Sequence, residues 1–188
     1  MSKIALITGA SSGIGKATAR AFATAGIDLI LCGRRLDELK KLKAELDKKV
    51  KVAILNFDVR DRKQVEESIN SLPAEFKQID ILINNAGNAH GLDPFQEGSI
   101  DDWDAMIDIN VKGLLYVSKR VIPTMIERKA GHIINIGSTA GKEVYPKGNV
   151  YCASKFAVDA LNQGMRIDLN AYGIKVGAVN PGLTHTAF

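Results

Sequence analysis

The sequence predicts one doubly wound α/β domain, a parallel sheet in three layers with helices on both faces. Three observations carry this. Short β-branched runs alternate with helical stretches along all 188 residues, as strands joined by crossover helices do. Several runs, Ile79-Asp80-Ile81-Leu82-Ile83 and His132-Ile133-Ile134-Asn135-Ile136 among them, read as continuous apolar segments. That fits strands covered on both faces. A glycine-rich turn, Gly9-Ala10-Ser11-Ser12-Gly13-Ile14-Gly15, joins the first strand to the first helix.

The expected strands are 3–8, 28–32, 50–56, 79–83, 131–136 and 174–179, read from their β-branched content and bounding turns. Helices are expected at about 14–25, 36–47, 62–71, 101–126 and 149–171, with Pro123 bending or ending the regular part of the fourth. Segments 72–78 and 88–100, rich in Pro, Gly and acidic residues, read as loops. No repeat, low-complexity tract or linker interrupts the chain, so residues 1–188 are read as a single domain.

Composition narrows the function classes. A hydrophobic fraction of 46% with 24% charged residues is globular, and no apolar run reaches the roughly 18–20 residues of a membrane helix. The N-terminus leads straight into a strand with no secretory core ahead of it. Two cysteines, Cys32 and Cys152, read as reduced thiols of a cytoplasmic protein. The formal charge is +4, and residues 34–51 alone hold eight basic and four acidic side chains. The basicity is local and lacks interleaved aromatics, which argues against nucleic acid. His90, His132 and His185 show no ligand spacing, so no metal is expected.

The glycine turn suits a phosphate. Glycine admits dihedrals that other residues resist and lets the main chain approach closely. The helix starting near Ile14 presents unpaired N–H groups and about half a positive charge. The spacing is G-x-x-x-G-x-G, and alone it is also compatible with a tight strand–helix connection that holds no ligand. Many dinucleotide domains place an acid after the second strand to accept the ribose hydroxyls. Here the strand ends Leu31-Cys32-Gly33-Arg34-Arg35. A guanidinium there grips a 2′-phosphate in bidentate fashion, which favours NADP over NAD. Arg34 is the stronger candidate, since Arg35 can instead start the next helix and face water.

Tyr151 and Lys155 stand thirteen and seventeen residues after Ser138. Four apart on a helix, they share one face. A tyrosine in water has a pKa near 10, and three units of lowering need about 4 kcal/mol. Nearby cations, an ammonium and an oxidised nicotinamide, can supply that. A serine hydroxyl after the fifth strand can hold and polarise a substrate oxygen. Tyr-x-x-x-Lys by itself is common on exposed helix faces; its place at a helix start, beyond Gly137-Ser138-Thr139, makes it informative.

Taken together, Thr8-Gly9-x-x-x-Gly13-x-Gly15, Asp58-Val59, Asn84-Asn85-Ala86-Gly87, Asn110, Ser138, Tyr151-x-x-x-Lys155 and Pro181-Gly182 resemble the short-chain dehydrogenase/reductase family, in order and spacing, over nearly the whole chain. The resemblance implies a Rossmann-type fold and a catalytic set of Asn110, Ser138, Tyr151 and Lys155. Tyr151 would be the acid/base, Ser138 the orienting hydroxyl, and Lys155 the group that lowers the tyrosine pKa and binds the nicotinamide ribose. Asn110 would hold a water in a proton relay. Cofactor contacts would come from Gly9, Ser11, Ser12, Gly13, Ile14, Gly15, Arg34, Arg35, Asp58, Val59, Asn85, Ala86 and Gly87, and from Tyr151, Lys155, Pro181, Gly182 and Thr186. Asn84, with Gly87, would line the cofactor and brace the central strand. Asn84, Asn85, Asp58 and Asn110 also admit purely structural readings.

Local wording around Leu31–Leu36 and Asn180–Leu183 is similar to the branch of NADP-dependent 3-hydroxy acid and serine/allo-threonine dehydrogenases. Members of the family usually continue some sixty residues beyond the position of Phe188, so the C-terminal part of the family fold is expected to be absent from this chain. The function read from all this is NADP-dependent hydride transfer between nicotinamide and an alcohol or carbonyl substrate, a 3-hydroxy acid being one candidate. The alternative is a dinucleotide-binding regulatory or scaffold protein. The long helices at 101–126 and 149–171 offer faces for a homo-oligomer, dimer or tetramer.

Overall fold

The computed structural model describes residues 2–184; Thr186 and His185 lie outside the described residues. Six strands form one sheet: β1 (Ile4–Thr8), β2 (Asp28–Gly33), β3 (Val52–Asn56), β4 (Ile81–Asn84), β5 (Gly131–Ile136) and β6 (Ile174–Val179). All pairs are parallel and the order is β3-β2-β1-β4-β5-β6. The winding reverses between β1 and β4. In such sheets the crevice at that reversal, beyond the strands' C-terminal ends, is where ligands bind. Ile7 pairs with Ile83 across this switch, so Thr8 and Asn84 finish side by side.

Strand alternation divides the core in two. Leu6, Ile30, Leu82 and Ile133 face α3 (Arg62–Asn70) and α5 (Leu114–Arg128), whose Val65, Val117, Val121 and Met125 cover them. Leu169 of α6 (Asn149–Asn170) closes the same layer. Ala5, Ile7, Leu29 and Leu31 face the other way, under Ala19 and Ala23 of α1 (Gly13–Thr24) and Leu39, Leu42 and Leu46 of α2 (Leu36–Leu46). Each fully buried Leu or Ile contributes about 1.5–3 kcal/mol. The three layers follow from the sequence pattern, and the strand limits move by only one or two residues.

The fourth helix departs from expectation. Instead of one helix bent at Pro123 there are α4 (Ile100–Ile107), a wider π turn at Asp108–Gly113, and α5. Pro123 sits inside α5, which runs on to Arg128. Both Pro123 and Lys119, whose carbonyl loses its partner there, are exposed; water can satisfy that carbonyl, so the helix persists. The wider turn contains Asn110, whose side chain is bonded outside this helix, to Asn88 and Ser154.

Candidate active site

The site grows from the switch point. Gly9 has φ +64°, a left-handed conformation that glycine adopts without strain. At Gly15 a β-carbon would stand 2.5 Å from the Gly9 carbonyl oxygen and from Asn85 Nδ2, so only hydrogen lets α1 start against the turn. Ser12 caps α1 with extended backbone and no side-chain bond to the helix. The leading N–H groups of α1 therefore remain available to an anion.

Thr8, to which the sequence assigned no role, ties the strands beneath. Its hydroxyl donates to the Ile83 carbonyl at 3.3 Å and accepts from the backbone N–H groups of Asn85 and Ala86 at 3.0 and 2.9 Å. A lone polar residue ending an apolar strand was the available signal. The Asn85 side chain donates to the carbonyls of Thr8 and Gly9 at 2.9 and 3.3 Å. It braces the glycine turn. Asn84 turns into the core: its Nδ2 donates to Ser118 Oγ and Asn135 Oδ1, both at 2.9 Å, and Asn135 donates on to Asn162 at 3.1 Å. This buried ladder joins β4, β5, α5 and α6.

The two arginines after β2 part ways. Arg35 folds back over the turn, its Nε and Nη2 donating to Ser11 Oγ at 3.2 and 3.1 Å and its Nη2 to Ser12 Oγ at 2.5 Å. Arg34 extends toward Asp58, at 3.7 Å. Asp58 is gripped by Arg60, a partner the sequence analysis did not single out, through contacts of 2.7–3.1 Å. Burial pushes the Asp58 carboxyl up, but the Arg60 hydrogen bonds and charge, with Arg34 behind, outweigh it and hold the carboxyl below its usual range. The Val59 side chain lies in the core against Gly113, where a β-carbon would meet its Cγ2 at 2.7 Å.

The second half of the site comes from β5 and α6. Ser138 follows β5, and its Oγ accepts from the Ala140 N–H at 3.1 Å, which leaves its proton to donate. Lys155 is 94% buried. Its Nζ donates to the Ile136 carbonyl at 3.0 Å and lies 5.8 Å from the centre of the Tyr151 ring. Burial lowers the Lys155 amine to about 8. The Asn110 amide is fixed three ways: Oδ1 accepts from the Asn88 N–H at 2.8 Å, and Nδ2 donates to the Asn88 carbonyl at 2.9 Å and Ser154 Oγ at 3.0 Å. Gly87 stands between, since a β-carbon there would be 3.2 Å from Asn110 Oδ1 and 3.7 Å from Lys155 Nζ. Asn88, Ser154 and the Ile136 carbonyl complete the cluster, and no sequence motif marked them.

Pro181 reaches the same edge, its carbonyl accepting from the Thr139 N–H at 3.1 Å; Gly182 follows, exposed. Tyr151 also lines a cleft walled by His90, Asp93, Trp103 and Lys147. Trp103 stacks on Phe95 with ring centres 5.0 Å apart, so it both packs its loop and borders the cleft. Among the described residues no helix is long and apolar enough to cross a membrane.

These residues fit a phosphorylated dinucleotide. Gly9 and Gly15 have no room for a β-carbon, no side chain bonds the first N–H groups of α1, and the Arg35 guanidinium is already seated on the turn's serines. The comparisons agree. The short chain dehydrogenase family model matches residues 3–188. An NADP-dependent 3-hydroxy acid dehydrogenase of Salmonella typhi is 48% identical over 180 residues, which are 96% of this chain and 72% of that protein. Sulfoacetaldehyde reductase 2 of Chromohalobacter salexigens is 47% identical over 189 residues, 100% of this chain and 75% of that protein. Among solved structures, the closed form of serine dehydrogenase complexed with NADP+ superimposes with a TM-score of 0.94 at 47% identity, covering 98% of this chain and 74% of that one. The chain belongs to the short-chain dehydrogenase family and is an NADP-dependent oxidoreductase acting on CH–OH.

Proposed function

We propose that this chain, read as one dinucleotide-binding and catalytic domain over residues 1–188, oxidises a short 3-hydroxy acid or reduces the matching carbonyl compound. The observation that carries the catalytic assignment is the seating of Lys155, buried, bonded to the Ile136 carbonyl and 5.8 Å from the Tyr151 ring. With its amine at about 8, Lys155 is still protonated by about ten to one at pH 7. A charged ammonium therefore faces the Tyr151 ring from the same side of the helix.

In oxidation, the Tyr151 oxygen takes the proton of the substrate hydroxyl. Ser138 donates a hydrogen bond to the substrate oxygen, keeping its own proton, and so orients the reacting carbon toward the nicotinamide. Asn110 holds the Asn88 backbone in place beside Gly87. NADP, when bound, supplies the hydride acceptor. Gly9, Ser11, Ser12, Gly13, Ile14 and Gly15 would hold its pyrophosphate and Arg35, with Arg34, its 2′-phosphate. Asp58 and Val59 would lie toward the adenine, Asn85, Ala86 and Gly87 along the ribose, and Pro181, Gly182 and Thr186 at the nicotinamide.

The names of the relatives, a 3-hydroxy acid dehydrogenase, a sulfoacetaldehyde reductase and a serine dehydrogenase, support the substrate class. Exposed Leu115 on α5 and Phe156 and Ile167 on α6 support a homo-oligomer, and the two free cysteines a reducing, cytoplasmic setting. The test is NADPH oxidation against a panel of carbonyl compounds with Tyr151→Phe alongside. Turnover in the variant should fall at least about 100-fold, with NADPH affinity retained. Unchanged turnover removes Tyr151 from its role.

A further inference from the structure

One positive residue of the cleft is unused by the roles above. Lys147 lies four residues before Tyr151, and both line the cleft. The Gly148 N–H donates to the Tyr145 carbonyl at 3.1 Å, so Tyr145-Pro146-Lys147-Gly148 closes a turn. Proline stands second and Lys147, with φ +66°, third, the arrangement of a type II turn. That third position ordinarily takes glycine or asparagine, because a β-carbon is strained there; a lysine costs about 1 kcal/mol in this conformation. Strain tolerated at the mouth of a site is a pointer to use.

The turn is firmly placed. Gly148 is pressed to the Tyr145 ring, where a β-carbon would come within 2.3 Å, and Asn149 Nδ2 donates to the Asp93 carbonyl at 3.3 Å, linking the turn to the facing loop. Among the described residues Lys147 forms no ion pair. The cleft's carboxylates flank Gly91: a β-carbon there would be 3.3 Å from Asp93 Oδ2 and 3.5 Å from Asp102 Oδ2. His90 is the remaining titratable group of the lining besides Tyr151. The cleft thus carries charge of both signs, negative about Gly91 and positive at Lys147.

We propose that Lys147 is a specificity-determining residue, its ammonium taking the carboxylate or sulfonate end of a short substrate whose hydroxyl-bearing or carbonyl carbon stands at Tyr151. This rests on the role proposed above for Tyr151. Asp93 and Asp102 repel the same end and so fix which way the substrate lies.

The test uses the full-length protein loaded with NADP. Lys147→Gly suits the left-handed backbone, so the turn is kept while the ammonium is lost; Lys147→Arg keeps the charge. KM and kcat are measured for 3-hydroxypropanoate, its uncharged methyl ester and 2-hydroxyethanesulfonate. Lys147→Gly should raise KM at least about ten-fold for whichever anion is the substrate, with far less change for the ester, and Lys147→Arg should restore it. Equal changes for acid and ester, or none, overturn the proposal. Calorimetric titration of 3-hydroxypropanoate separates the two readings. If the protein oxidises neither acid yet binds one, and Lys147→Gly loses that binding, the hydroxy-acid activity fails and the Lys147 assignment stands. If the unaltered protein binds neither acid, the Lys147 assignment falls.

Discussion

Lys155 places its Nζ 3.0 Å from the carbonyl oxygen of Ile136, the last residue of β5, and 5.8 Å from the centre of the Tyr151 ring. One ammonium thus ties α6 to the strand that Ser138 follows. It does so while almost wholly buried, and that burial has a measurable consequence.

An unfolded lysine amine titrates near 10.5, whereas the folded Lys155 amine titrates at about 8. Below pH 8 the group is charged in both states and the folded chain bears the full burial cost, about 3 kcal/mol at 1.36 kcal/mol per unit. From pH 8 to 10.5 the folded amine is neutral while the unfolded one still binds its proton, so stability from this group rises with pH. Lys155→Met removes the cost but leaves the Ile136 carbonyl unpaired. The cofactor-free variant should be more stable than the unaltered protein by about 1–2 kcal/mol at pH 7, and the gain should shrink toward pH 10. Urea melts at both pH values decide it; a variant equally destabilised at both would contradict the burial argument. Its turnover should be lost throughout.

Arg35 should dominate the choice between NADP and NAD. Its guanidinium is held over the turn by Ser11 and Ser12, whereas Arg34 is mostly exposed and drawn to Asp58. A pre-placed guanidinium loses less freedom on gripping a phosphate. Arg35→Ala should raise the KM for NADP by about 10–100-fold and leave that for NAD nearly unchanged, with a smaller effect from Arg34→Ala. Steady-state kinetics with both cofactors check the order. A larger effect at Arg34 would reverse it.

Asn110 should prove structural as well as functional. Asn110→Ala strands the Asn88 N–H and the Asn88 carbonyl and takes one partner from the Ser154 hydroxyl, which still donates to the Tyr151 carbonyl. Unpaired buried groups cost about 1–3 kcal/mol each, so a loss on the order of 3 kcal/mol is expected, some 10 °C in Tm for a domain of this size. Thermal unfolding monitored by circular dichroism reads this directly. A Tm within about 2 °C of the unaltered protein would show that the Asn88 backbone finds other partners.

The layers were legible because continuous apolar strands and crossover spacing are written locally; that Leu6 faces one layer while Ala5 and Ile7 face the other follows from alternation. The break in the long helix was not. Proline is a strong local signal, yet Pro123 faces water and is tolerated, while the π turn sits where Asn110 meets Asn88, twenty-two residues earlier. The arginine pair was ambiguous for a related reason. Both side chains leave adjacent backbone positions, and only the partners across the crevice, Ser11 and Ser12 against Asp58, separate them.

The sequence by itself determined the fold class and the family, and it singled out the glycine turn and Ser138, Tyr151 and Lys155 as candidates, since each depends on residue type at short, fixed spacing. The tertiary structure decided what those residues touch. It turned Asn84 into a buried ladder, gave Asp58 to Arg60, drew Arg35 onto the glycine turn and placed Lys147 on the wall beside Tyr151. Those outcomes depend on contacts between segments far apart in the chain, which burial and hydrogen-bond satisfaction select only once the sheet has brought them together.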